Sequence, residues 1–257
     1  MKIFFSQPWP WLALVGVTLL LMLVLSVLPF LGLVAIFTLF PGIAAGFLLA
    51  SRAAMEGQAM RFPHLLAGFK TAGRPLLAVG GKIFLLFFLG LALILLGWRE
   101  EFQRLVELMQ NPTPDKAAIL GAAQHLTPAS LLALALMLIL AIATWFAPGL
   151  VVFGQVDART ALRLSVRACL RNFAPFLVFG VLLIALDLVI SLFLRLVLTL
   201  LHGIGGEQVA NMATMFFTFP IVCAFMATIF AAAYVSYRDV FEPASAYSPA
   251  LTPERVE

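Results

Sequence analysis

Apolar residues occur along this chain in blocks, without a helical or strand period, and six blocks are long enough to count as elements. They cover residues 11–28, 31–50, 76–97, 130–153, 176–201 and 212–237. About 18 or more apolar residues in succession, rising 1.5 Å each as a helix, cross a hydrocarbon core ~30 Å thick. A membrane barrel would instead alternate polar and apolar positions in segments of about ten. The pattern therefore predicts an all-α, polytopic transmembrane bundle of six spans. Turn residues agree: Pro29 and Gly32 separate the first two blocks, and Pro75 and Pro175 open the third and fifth, where a missing N–H costs nothing. Residues 1–241 read as one transmembrane domain, followed by a short polar tail over 242–257.

Composition supports this class. Of 257 residues, 63% are hydrophobic and 11% charged, against roughly 45–50% and about 25% in soluble domains. The net charge of +4 raises the idea of nucleic acid, but the basic residues are sorted by loop, as membrane orientation requires. With the N-terminus inside, Lys2, Arg52, Arg61, Lys70, Arg74, Lys82, Arg159, Arg163, Arg167, Arg171, Arg238 and Arg255 fall on the inner side. Arg99, Arg104 and Lys116 fall outside, among Glu100, Glu101, Glu107 and Asp115, and Arg195 lies within a span. Both termini are expected in the cytoplasm. No small-residue cleavage site follows the first block, so it is expected to remain as a span.

The loops predict further helices. Phe62, Leu65, Leu66 and Phe69 form an i, i+3, i+4, i+7 stripe behind Pro63, and Leu162, Val166, Cys169 and Phe173 run beside arginines 159, 163, 167 and 171. Both read as short amphipathic helices in the inner interface, with cations among anionic headgroups. The outer loop, 98–129, reads as two polar helices broken at Asn111-Pro112-Thr113-Pro114, with Thr127-Pro128 restarting the fourth span as N-cap and first helical residue. A weak repeat pairs Pro41-Gly42 and Arg52 with Pro148-Gly149 and Arg159, and the run 75–80 with 175–180.

Few residues carry chemistry. Asp187 lies near the middle of the fifth span, where an aspartate costs about 2.5–3.5 kcal/mol on the insertion scale; it must be protonated, paired or wetted. It is either a proton-coupling carboxylate or a protonated partner of a neighbouring helix. Ser191 and Arg195 share its side at i+4 and i+8, and about 12 Å of rise keeps Arg195 from pairing with it directly. Pro41-Gly42 could unwind the second span into a binding site, whereas Gly42, Gly46, Ala50 and Ala54 make a small-residue ridge suited to close helix packing. His125 and His202 fall on the outer side without metal-ligand spacing. Cys169 and Cys223, the only cysteines, suggest neither a disulfide nor zinc. No catalytic residue, metal or cofactor is expected.

Three stretches resemble a family of uncharacterised proteobacterial multi-pass inner membrane proteins. They are Gln7-Pro8-Trp9, the run Ala161-Leu162-Arg163-Leu164-Ser165 with Cys169-Leu170-Arg171-Asn172, and Tyr234-Val235-Ser236-Tyr237-Arg238-Asp239-Val240-Phe241 with its Ser-Tyr-Arg-Asp signature. The resemblance implies an all-helical inner-membrane protein and no particular activity. The expectation is a non-enzymatic membrane component whose partners are the bilayer and its anionic lipids; the alternative is a proton-coupled transporter of small solutes that uses Asp187.

Overall fold

The computed structural model describes residues 8–111 and 115–242, and every regular element among them is a helix. In order these are α1 (Pro8–Ser26), α2 (Pro29–Met55), α3 (Pro63–Gly97), α4 (Arg99–Gln110), α5 (Lys116–His125), α6 (Thr127–Trp145), α7 (Ala147–Val152), α8 (Ala158–Arg171) and α9 (Phe173–Phe241). Helix α9 turns at Gly206, whose φ of 72° and ψ of −168° are open to glycine alone. Among the described residues six segments are long and apolar enough to cross a bilayer: Pro8–Ser26, Pro29–Met55, Pro63–Gly97, Thr127–Val152, Phe173–Val209 and Asn211–Phe241. Of the expected N-terminal signature, Gln7 lies outside the described residues, as do Pro112, Thr113, Pro114 and the tail beyond Glu242.

Spans one and two meet across Val27 and Leu28. There Leu28 N–H donates to Leu25 O at 3.0 Å and Gly32 N–H to Leu28 O at 2.7 Å, and a Cβ on Gly32 would overlap the Leu25 carbonyl. Between α2 and α3 the backbones approach as closely. A Cβ on Gly46 would sit 2.5 Å from Leu65 O and 2.6 Å from His64 O, and one on Gly80 would sit 2.6 Å from both Phe37 O and Thr38 O. Small residues let helices reach this distance, where dispersion contacts hold them together without a hydrophobic driving force. The ridge expected on α2 is therefore a packing surface. Helix α2 runs unbroken through Pro41, so Pro41-Gly42 does not unwind it.

The partner of that ridge is the stripe read as interfacial. Residues 63–71 form the first part of α3, which breaks at Ala72 (φ −149°, ψ 47°) before the third span. Leu65 and Gly68 are buried against α2, while Phe62 and Leu66 remain exposed. The segment is docked on protein through one half of its apolar face and leaves the other half exposed. The fourth span is broken too. Helix α6 stops at Trp145, and the six residues of α7 are all buried, with Pro148 in their first turn. Its start differs by one residue from expectation: Leu126 is the N-cap, without a side-chain cap bond, and Thr127 is already helical.

Aromatic stacks join the spans. Trp11 lies on Phe47 (5.9 Å between centroids) and Phe47 on Phe230 (4.1 Å), linking spans one, two and six. A second core, around Leu76, Val79, Phe146, Leu150 and Tyr237, joins spans three, four and six to α8. The weak repeat takes a form different from the Pro-Gly match. Gly46 meets Leu65 and Gly42 meets Phe69; at positions 100 further on, Phe146 bonds to Ser165 and Ile142 to Cys169. Both docked helices then break three residues before a proline, at Ala72 and Asn172.

Candidate functional site

The densest row of basic side chains among the described residues lies on α8, and its placement begins with one cap. Asp157 has extended backbone angles (φ −68°, ψ 161°), and its carboxylate accepts from Arg159 N–H at 2.9 Å and Thr160 N–H at 3.3 Å. These are two of the donors that a helix start leaves open. Hydrogen bonds from Thr160 and Arg159, with Lys82 nearby, hold its pKa below the ordinary aspartate value. Beyond the cap, Ala158, Ala161, Ser165, Ala168 and Cys169 turn inward and are buried.

Ser165 fixes the helix in place. Its Oγ accepts from Phe146 N–H at 3.0 Å and donates to Ile142 O at 2.8 Å. The hydroxyl thus satisfies polar groups freed where α6 gives way to α7. Cys169 Sγ lies 3.6 Å from the same Ile142 carbonyl, and burial pushes its thiol pKa up to about 11. Arg159, Arg163, Arg167 and Arg171 occupy the opposite side and are all exposed, one every four residues or about 6 Å of rise. The face that anchors α8 is the small-residue stripe Ala161, Ser165 and Ala168. Of the stripe expected to enter lipid, Cys169 is buried, Leu162 and Val166 are half-buried, and only Phe173 is exposed.

The ends of spans two, four and six gather beside this helix. The Arg52 guanidinium lies 5.3 Å above the Phe153 ring and pairs with Glu56 at 3.2 Å. Phe153 packs on Tyr237 at 5.2 Å, and Arg238 Nη1 contacts Met55 Sδ at 3.6 Å. These groups share one end of the bundle, as alternate crossings of six spans require.

Asp187, Ser191 and Arg195 do share one side of the fifth span, and all three are exposed. The most apolar stretch of that span contains no buried residue. No hydrogen bond or ion pair joins Asp187 to another described residue. Ser191 and Arg195 border a shallow groove with Thr199 and His202, and the crevices of about 220 and 190 Å³ around Pro41 are lined by other, mainly apolar residues. His125 and His202 are exposed, and among the described residues no three His, Cys, Asp or Glu come together as a metal site.

Comparison with known proteins adds one finding to this geometry. A probable inner membrane protein of Burkholderia thailandensis is 30% identical over 248 residues, covering 93% of this chain and 87% of that protein. The chain belongs to this family of inner membrane proteins. No family model matches it, and no solved structure does. As a multi-pass inner membrane protein, it presents α8 and the ends of spans two, four and six as one charged and aromatic surface. Sequence reasoning found the arginines and missed the serine between them. The available signal was the spacing of Ala161, Ser165 and Ala168, small residues suited to a helix seam more than to a lipid-immersed face.

Proposed function

We propose that this inner membrane protein is a non-enzymatic component of the membrane that organises anionic lipid through α8. The observation that carries the reading is the fixed presentation of four arginines. Arg159, Arg163, Arg167 and Arg171 stand exposed at four-residue spacing on a helix whose other face is bonded into span four by Ser165. A cation near an anionic leaflet contributes about 1 kcal/mol, and arginine forks match phosphate oxygens. Because the helix is already docked, holding the arginines in a row requires no further ordering of the backbone. The proton-coupling alternative has less support, since Asp187 stands on an exposed face with no described partner.

The test is lipid retention. Protein purified from native membranes should carry anionic phospholipid, and the fourfold replacement of these arginines by Gln should strip most of it while leaving thermal stability unchanged. Unaltered anionic lipid in that variant would assign the arginine row to a soluble partner instead.

A further inference from the structure

Where the first turns of α9 face its last turns, the fold forms a half-open cavity of about 370 Å³, within the ~300–1,000 Å³ range of small-molecule sites. Its inner wall is aromatic. Trp145 stands edge-on to Phe176 at 5.5 Å and to Phe179 at 5.9 Å. The polar atoms of this wall are engaged: Trp145 Nε1 donates to Ser236 Oγ at 3.1 Å, and that hydroxyl donates to Ala233 O at 3.0 Å. What remains is hydrocarbon contact, suited to an acyl chain.

The polar part of the lining has the opposite character. Asn172 Nδ2 donates to Ala168 O at 2.9 Å, which leaves Oδ1 as an acceptor. Asp239 is the one ionisable residue in the lining among the described residues. Its carboxylate is 63% exposed and lies 3.6 Å from Arg238 Nη2, longer than the ~2.7–2.9 Å of a strong charge-assisted bond. Lone pairs and one loosely paired negative charge therefore border an apolar slot. No Lys or Arg among the described residues lines the cavity to meet a phosphate or carboxylate, whereas a protonated amine would find both acceptors.

We infer that this cavity binds a phospholipid with a primary ammonium headgroup, of the phosphatidylethanolamine type, its ammonium at Asp239 and Asn172 and its chain along Trp145, Phe176 and Phe179. The site adjoins the end of the arginine row at Asn172, the C-cap of α8, and it divides the run Ser236-Tyr237-Arg238-Asp239. Ser236 and Asp239 face the cavity, while Tyr237 packs against Gly149 and Arg238 reaches Met55.

Native mass spectrometry of the full-length protein, exchanged into micelles with equal amounts of ethanolamine, glycerol and choline phospholipids, tests this. Wild type should retain one ethanolamine lipid in preference to the others, and dodecylamine, but not dodecanol, should displace it. Asp239→Asn should reduce the preference about tenfold, the scale of one bond to a charged group. Asp239→Lys should turn it toward the glycerol lipid. Protection of Cys169 from maleimide reports that each variant is folded, and the wild-type preference stands as a test without any variant. Equal retention of the three headgroups by wild type, or an unchanged preference in folded Asp239→Asn, would overturn the assignment.

Discussion

Ser165 Oγ lies 3.0 Å from Phe146 N, inside the break between α6 and α7. A single hydroxyl on a peripheral helix completes the hydrogen bonding of a membrane span. In lipid that role has weight, because no water is at hand to take an orphaned backbone group.

Ser165→Ala should therefore destabilise the protein by about 1–3 kcal/mol, the range for leaving a buried donor unsatisfied. The same substitution should loosen α8 enough to admit maleimide to Cys169, which is otherwise a buried thiol with a pKa of about 11. Thermal unfolding in detergent and labelling near neutral pH measure the two effects. A variant as stable and as protected as wild type would mean that α8 is held by packing alone.

The seam between α2 and α3 gives a contrast between two glycines. Gly46→Ala must push the Leu65 and His64 carbonyls away, whereas a Cβ on Gly81 would meet nothing within 4 Å. The first should cost about 1–3 kcal/mol as overpacking, and the second should be neutral or slightly stabilising through helix propensity. Similar unfolding temperatures for the two would contradict the packing described for this seam.

Much of this architecture was legible because insertion depends on summed apolarity, which needs no knowledge of neighbours. All six spans were found that way, although their ends moved: the fifth runs to Val209 and the sixth from Asn211. Contacts across the chain were not legible. Whether Leu65 and Phe69 face lipid or a second helix depends on the Gly42–Gly46 ridge meeting them, and their own periodicity is the same in either case. Likewise Asp239 and Asn172 are far apart in sequence, and only the turn at Gly206 brings them to one cavity. Asp187 is the reverse case: composition made it conspicuous, and the fold gives it no described partner.

For that reason Asp187→Leu should not lower stability or membrane abundance, and should favour insertion by removing the roughly 2.5–3.5 kcal/mol cost of a mid-span aspartate. Asp187→Asn should preserve any cellular phenotype of the gene. Loss of that phenotype in a normally abundant Asn variant would restore the proton-coupling reading.

Orientation is open to direct measurement. Twelve of the sixteen Lys and Arg residues fall toward the side assigned as inner, Lys82 from within the first turns of the third span, a bias that sets topology. Reporter fusions after Ala54, Ala158 and Glu257 should behave as cytoplasmic, and a fusion near Asn111 as periplasmic. A periplasmic C-terminal reporter would reverse the assignment.

From Phe173 to the turn at Gly206 the fifth span is about 50 Å long at the α-helical rise, against ~30 Å of hydrocarbon and ~40–45 Å for a whole bilayer. No membrane matches such a rod upright, so it must lean, or its far end must stand clear of the headgroups. Phe176 is fixed beside Trp145 and Phe146 at the near end, which makes the helix a lever with one end clamped. A thinner membrane then favours a flatter angle and a thicker one a steeper angle, while beyond Gly206 the chain returns to the bundle, where Phe230 stacks on Phe47 and Tyr237 packs on Phe153.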